Sequence, residues 1–265
     1  MFVNQTSMNI EISNVIINTH STDDYISRIL AMGLIWEPNV TYFLLGLAKG
    51  GILLDVGANI GYYSLISAHK YSHIYAFEPI HYNYELFEKS IQRNNFHNIS
   101  LIKCCVGDKD GEDLSLSVLK YNYGATRNRE KTSRFAMPGI DDAEVIVCKQ
   151  VTLDTFVAQN NLDRIDMLKV DVEGFEKQVL DGFKKGLAGK LAATICIEFS
   201  ANMLPAEELI AILEQLKSAG YTLFDIGLEE SGTEIRPTKC DPITYIDFAK
   251  FVEGTQQTNI LARRF

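Results

Sequence analysis

The apolar run Ile52-Leu-Leu-Asp-Val56, which opens directly into Gly57-Ala-Asn59-Ile-Gly61, constrains the fold of this chain more than any other segment. Five residues with no polar alternation suit a strand covered on both faces, and such strands belong to parallel sheets flanked by helices. Glycines directly after it signal a tight strand-to-helix turn. The pattern recurs along the chain. Apolar runs at 74–79 (IYAFEP), 100–106 (SLIKCCV), 165–172 (IDMLKVDV) and 193–200 (ATICIEFS) alternate with the helical stretches YYSLISAHK, NYELFEKSIQRNN, TLDTFVAQN and GFEKQVLDGFKKGL. A further helix from Pro205 to Gly220 has a proline suited to a first turn and a glycine suited to a C-cap. YTLFDIG and TNILARR supply the last strands. The expected fold is therefore α/β, with about seven mostly parallel strands and helices on both faces.

The alternation breaks at Gly107. Residues 111–148 are polar with short alternating runs (LSLSVL, VIVC), which predicts an inserted flap or hairpin. The expected organisation is one domain over 1–265: an N-terminal extension (1–50), a first half of the sheet (51–110), the flap (111–148) and a second half (149–265). Within the extension, alternation around Ile10–Ile17 predicts a hairpin arm, and helices are expected near Asp24–Ala31 and Val40–Lys49.

Composition removes several function classes. A net charge of −9 opposes generic nucleic-acid binding, which needs a basic face toward phosphates. No run approaches the roughly 18 apolar residues of a membrane span. The first residues, MFVNQTSMNIEISN, have neither the basic start nor the apolar run of a signal peptide. Five cysteines without a CxxC pair, three of them in apolar runs, predict reduced thiols in a cytoplasmic protein.

Ligands of open α/β sheets bind beyond the carboxyl ends of the strands, where strand order reverses. The strand ends here carry Asp55, Gly57 and Gly61; Glu78; Gly107 and Asp108; Lys169, Asp171, Glu173 and Gly174; and Glu198. A dinucleotide loop reads G-x-G-x-x-G, so that bare backbone can approach a pyrophosphate. This loop reads D-x-G-x-x-x-G, and a carboxylate at its start repels phosphate and favours a cationic group such as an ammonium. Glu78, 23 residues beyond Asp55, ends the next strand, where a carboxylate takes ribose hydroxyls. A ribose with an amino-acid tail and no phosphate describes S-adenosylmethionine.

The segments WEPNVTYFLLGLAKGGILLDVGANIGYYS (36–64), FEP (77–79), VGDKDGE (106–112), TLDTF (152–156) and IDMLKVDVEGFEKQVLDG (165–182) resemble the FkbM-type S-adenosylmethionine-dependent methyltransferases. DVGANIGYYS together with KVDVEGFE is a specific pair. The resemblance implies a class I methyltransferase fold and methylation of a hydroxyl oxygen, often on a sugar or a glycosylated natural product. It implies that Asp55, Gly57, Ala58, Asn59 and Gly61 surround the methionine part of the cofactor. Glu78 would bind the ribose, and Asp108, with Val106 and Gly107, the adenine. Lys169, Asp171 and Glu173 fall on the family's K-x-D-x-E-G pattern and face the substrate or the methyl-bearing end.

Methyl transfer to an alcohol needs alignment and a base for the hydroxyl proton. Asp171, Glu173 and Glu198 are the candidate bases, while Asp171 is equally suited to capping the helix that follows it. Lys169, in an apolar strand, is expected to pair with Asp171 or Glu198. The three carboxylates could hold a hard divalent ion, but the five histidines are scattered and no catalytic metal is expected. The flap carries a basic island at 120–134, with Arg127, Arg129 and Arg134 beside Tyr121 and Tyr123. It reads either as a solvated loop or as a lid that holds an anionic, sugar-bearing acceptor. A nitrogen or carboxylate acceptor, and a nucleotide-binding module without chemistry, remain the competing functions.

Overall fold

The computed structural model describes residues 8–12, 14–20, 24–47, 50–119, 122–128, 144–201, 203–226, 231–232, 241–242 and 257–265. A hairpin opens the chain, β1 (Met8–Ile12) against β2 (Val15–Thr19), as the alternation around Ile10–Ile17 predicts. It is followed by α1 (Tyr25–Ala31), β3 (Ile35–Trp36) and α2 (Pro38–Leu47), which starts two residues before the predicted Val40. Residues 48–49 of that expected helix lie outside the described residues. The first sheet half follows as β4 (Ile52–Val56), α3 (Tyr62–Ser67), β5 (His73–Phe77), α4 (His81–Asn94) and β6 (Ile99–Ile102). Next come β7 (Cys105–Val106), β8 (Asp113–Leu119), β9 (Asn122–Asn128) and β10 (Glu144–Val151). The second half comprises α5 (Leu153–Gln159), β11 (Ile165–Val170), α6 (Glu176–Asp181), α7 (Lys184–Ala188), β12 (Ala192–Ser200) and α8 (Ala206–Ser218). The chain closes with β13 (Thr222–Asp225), β14 (Ser231–Gly232), β15 (Asp241–Pro242) and β16 (Gln257–Arg263).

The main sheet runs in the order β6-β5-β4-β11-β12-β16-β13, with the two-residue β15 as an eighth strand at its edge. The first five are parallel, and β16 inserts antiparallel between β12 and β13. Strand order reverses between β4 and β11, so the crevice lies at their carboxyl ends. Side chains alternate across these strands, and the core divides accordingly. Leu54, Val56, Leu168, Val170, Ile195 and Ile197 pack with residues of α5 to α8. Leu53, Met167 and Cys196 point the other way, onto α1 to α4 and the hairpin residues Val15 and Ile17. Both layers bury leucine, isoleucine and phenylalanine, which explains why these strands are apolar throughout.

Four sequence expectations need correction. The run 100–106 is not one strand: the chain turns at exposed Lys103, where the Cys104 amide bonds the Ile102 carbonyl at 3.1 Å. There it leaves the edge of the main sheet, and β7 pairs with β10 instead. The flap is more than a hairpin, because β7, β10, β8 and β9 form a second, four-stranded sheet. Its last strand extends to Val151, past the expected boundary at 148. The helix expected over GFEKQVLDGFKKGL is broken into α6 and α7 at Gly182-Phe183. A Cβ on Gly182 would lie 2.0 Å from the Gly107 carbonyl oxygen, and the turn buries Phe183 completely. Asp154, from the TLDTF segment, then accepts the Lys185 and Gly186 amides at 2.9 and 2.8 Å at the start of α7. Pro205 acts as the N-cap of α8 rather than its first residue, and Gly220 ends the helix at φ +86°.

Candidate active site

The loop after β4 is shaped by close approach. Gly57 has φ +82°, and a Cβ there would lie 1.8 Å from the Asp171 carbonyl oxygen, so only glycine lets the ends of β4 and β11 meet. The Asp171 amide completes the junction by bonding the Val56 carbonyl at 3.0 Å. Asn59 takes a left-handed conformation (φ +53°) that asparagine tolerates, and its side chain accepts the Ile60 amide at 2.8 Å. Gly61, at φ +85°, is the N-cap of α3, where a Cβ would lie 2.2 Å from the ring of Phe87.

Glu78 adjoins this loop, and the two line a cavity of about 390 Å³, within the size range of cofactor pockets. Its Oε2 accepts the Asn59 amide at 2.8 Å and its Oε1 the Ile80 amide at 2.9 Å. Asn83 donates to the same carboxylate at 3.4 Å, and Asn83 Oδ1 meets Nε2 of the buried His20 at 2.7 Å. Burial raises the Glu78 pKa to about 7, against the pull of those amide donors. Oε1 is shared by the Ile80 amide and Asn83, whereas Oε2, with one amide donor, keeps acceptor capacity for a hydroxyl in the cavity.

Beside the loop lies a carboxylate cluster around one cation. Lys169 and Asp55 are register partners on β11 and β4, so they lie side by side. Lys169, 3% exposed, donates to Asp171 at 3.0 Å, and its ammonium lies 4.5 Å from the centre of the Tyr63 ring. Burial opposes its charge, yet Asp171, Asp55 and Glu37 outweigh burial and hold its pKa above the ordinary lysine value. Asp55 is fully buried behind the loop and accepts from the Ser64 hydroxyl at 2.6 Å; burial raises its pKa while Lys169 and Ser64 oppose the shift. Glu198 comes from β12 and bonds Gln257 at the start of β16. Burial, together with the charges of Asp171 and Glu173, raises its pKa well above the usual carboxylate range.

The turn 171–174 wraps around a different acid. Glu176 accepts the Val172 and Gly174 amides, both at 3.1 Å, and is buried with its pKa raised to about 7, chiefly by desolvation. Glu173 (φ +54°) and Gly174 (φ +94°) let the chain reverse there. Asp171 does not cap α6, contrary to one sequence expectation: Phe175 holds the N-cap position, and the Asp171 carboxylate turns to Lys169. The structure thus brings Asp171, Glu173 and Glu198 together, with one carboxylate oxygen from each within 4.8 Å of the others.

Other expected residues are placed less uniformly. Ala58, Asn59 and Val106 line the cavity, as do Cys104 and Cys105. Gly107 is buried beneath Gln150 and Phe175, and Asp108 is exposed, away from the cavity wall. Tyr121, Arg129 and Arg134 lie outside the described residues. Tyr123 and Arg127 fall on β9, whose backbone runs near α1, and α1 contributes Tyr25 and Ile26 to the cavity. Sequence reasoning missed Glu37. It stands before α2 at φ +40°, is 7% exposed, and accepts a hydrogen bond from the Tyr63 hydroxyl. Burial, then the charge of Asp171, raises its pKa to about 7. It ends no main-sheet strand, so strand-end logic does not reach it; its one signal is its place within the WEP segment of the resemblance.

These features define what the cavity accepts. Among the described lining residues Lys169 is the only cation, and it is committed to the carboxylates, so the walls do not suit a pyrophosphate. An acidic cup suits a sulfonium and an ammonium, and Glu78 suits vicinal hydroxyls. The donor and acceptor set fits S-adenosylmethionine.

Comparison with known proteins agrees. Residues 55–223 match the methyltransferase FkbM domain. Methyltransferase 1 of Beauveria bassiana is 29% identical over 143 residues, 49% of this chain and 57% of that protein. Methyltransferase sdnD of Sordaria araneosa is 29% identical over 165 residues, 53% of this chain and 63% of that protein. The chain therefore spans about three fifths of the length of these curated relatives. The crystal structure of methyltransferase FkbM from Methylobacillus flagellatus superposes with a TM-score of 0.50 at 16% identity, covering 87% of this chain and 49% of that one, which shows a shared fold. FkbM-domain proteins depend on S-adenosylmethionine, so that is the cofactor to which the cavity belongs. Matched from Asp55 to the start of β13, with its strand order and cofactor cavity in place, the chain belongs to the FkbM methyltransferase domain family.

Proposed function

We propose that this chain is an S-adenosylmethionine-dependent O-methyltransferase whose acceptor is a hydroxyl of a sugar or a glycosylated small molecule. The observation that carries the reading is that the glycine loop with Glu78 and the carboxylate cluster around Lys169 line one and the same cavity. The bound cofactor supplies an electrophilic methyl group on a sulfonium. Glu78 is suited to orient the ribose, with Ala58, Asn59 and Val106 forming the surrounding wall. Lys169 holds Asp171 in place, and one of Asp171, Glu173 and Glu198 accepts the acceptor's hydroxyl proton. Crowded carboxylates raise one another's pKa, which suits a base working near neutral pH. Several carboxylates also suit a polyhydroxylated acceptor, because each can receive hydroxyl hydrogen bonds. The basic island at 120–134 follows β8 in the chain, and the position of β9 near α1 supports its reading as a lid for an acceptor that also carries negative charge.

The test is transfer of labelled methyl to a panel of nucleotide sugars, phosphosugars and glycosylated small molecules, comparing the wild type with Asp171→Asn and Glu173→Gln. Loss of the base lowers kcat by about 10²–10⁴-fold, with S-adenosylhomocysteine affinity retained. Labelling only of amine or carboxylate acceptors refutes the O-methyl reading. Undiminished turnover in both variants moves the base to Glu198.

A further inference from the structure

Glu198 is 6% exposed, and its Oε1 is engaged by Gln257. Its Oε2 is buried without a hydrogen-bond partner. Such an oxygen is costly unless something satisfies it. Lys169 donates elsewhere, to Asp171. The orphaned carboxylate sits in the group formed with Asp171 and Glu173, whose oxygens all lie within 4.8 Å of one another. A single ion bonded to each oxygen at about 2.0–2.6 Å spans such a group. Histidine and thiol ligands are absent from this group, so the donor set is hard oxygen throughout, which selects magnesium, calcium or manganese over zinc and copper. The scattered histidines, which led the sequence reading away from a metal, bear on nitrogen-ligand sites and leave an oxygen-only site open.

We propose that Asp171, Glu173 and Glu198 form a binding site for one hard divalent cation, at the wall of the cavity where the acceptor is methylated. The three residues come from the loop after β11 and from β12, so the site is assembled by the pairing of those two strands. All three line the cavity. The cation's remaining ligand positions therefore face the space in which an acceptor lies, and they suit a vicinal diol or a hydroxy-acid. The ion satisfies Glu198 Oε2. This inference rests on the reading of the cavity as a methyl-transfer site, but the cation is measured without turnover.

The experiment is a titration of the purified full chain with Mn²⁺, followed by electron paramagnetic resonance, with S-adenosylhomocysteine binding measured in parallel by calorimetry. The expected result is saturation at about one Mn²⁺ per chain, displaced by Mg²⁺ or Ca²⁺, because all three are hard ions of the same ligand class. Glu198→Gln and Glu173→Gln each weaken Mn²⁺ binding at least tenfold, while Asp113→Asn, at an exposed carboxylate of the second sheet, leaves it unchanged. Glu173 is only half-buried, so its variant stays informative if Glu198→Gln does not fold. No saturable Mn²⁺ binding, or binding that survives both substitutions, overturns the site. If S-adenosylhomocysteine fails to bind the wild type, the methyl-transfer reading falls by that measurement alone, whatever Mn²⁺ does.

Discussion

Replacing Lys169 by methionine tests the electrostatic organisation of the active site. Lys169→Met keeps an unbranched stem beside the Tyr63 ring and removes one positive charge. What remains is Asp55, fully buried, with Glu37 and Asp171 nearby and no cation among the described residues lining the cavity. Removing one partner from a buried ion pair costs about 3–5 kcal/mol, because the other charge is left without compensation. Asp171 is 26% exposed and water screens it in part, which favours the lower end of that range. At about 2–4 °C per kcal/mol for a chain of this size, Tm falls by roughly 6–20 °C. The pH dependence has a definite sign. Lys169 restrains the upward shifts of Asp55 and Glu37, so its loss raises both folded-state pKa values further above their ordinary values of 3.8 and 4.5. A carboxyl with a raised folded pKa contributes stability at low pH and loses it as pH rises through that pKa. The deficit of the variant is therefore largest near pH 8 and smaller near pH 5.5. Urea unfolding followed by far-ultraviolet circular dichroism, with both proteins at both pH values, measures it. A deficit equal at the two pH values, or below about 1 kcal/mol at the higher one, refutes the reasoning, since that is the range of an exposed pair.

Three further outcomes follow from the same geometry. Glu78→Ala removes the acceptor of the Asn59 and Ile80 amides as well as the proposed ribose ligand. Hydrogen bonds to a charged group are worth about 1.5–3 kcal/mol, so S-adenosylhomocysteine affinity falls roughly tenfold to a hundredfold by calorimetry; unchanged affinity rules out the assignment. Gly57→Ala places a Cβ 1.8 Å from the Asp171 carbonyl oxygen at φ +82°. The left-handed backbone alone costs about 1–2 kcal/mol, so Tm and cofactor affinity both drop, and retention of both by the variant contradicts the close approach of β4 and β11. Replacing Arg127, Arg129 and Arg134 together by Gln raises the acceptor KM and removes its salt dependence, with cofactor binding unaltered; an unchanged KM in steady-state kinetics identifies the island as a solvated loop.

What the sequence by itself determined is the local and the repetitive. The apolar runs at β4, β5, β11 and β12 specify strands buried on both faces, because each of their alternating residues meets a helix layer. Gly57 and Asn59 announce the loop, since backbone conformations with positive φ restrict residue type. Glu78 and Lys169 could be singled out because a charged residue inside or at the end of an apolar strand needs a partner. The break at 103–104, where the run SLIKCCV enters two different sheets, was not legible, because both halves are equally apolar and only the competition between edge positions separates them. Tertiary structure alone decided how the site is assembled. Glu37, Tyr63, Asp171, Glu198 and Gln257 are far apart in the chain, and their convergence depends on the register of β4, β11, β12 and β16 and on where α2 begins. Whether Asp171 caps a helix or pairs with Lys169 was likewise a tertiary choice: Glu176 occupies the amides of the 171–174 turn, and that leaves the aspartate carboxylate to the buried lysine.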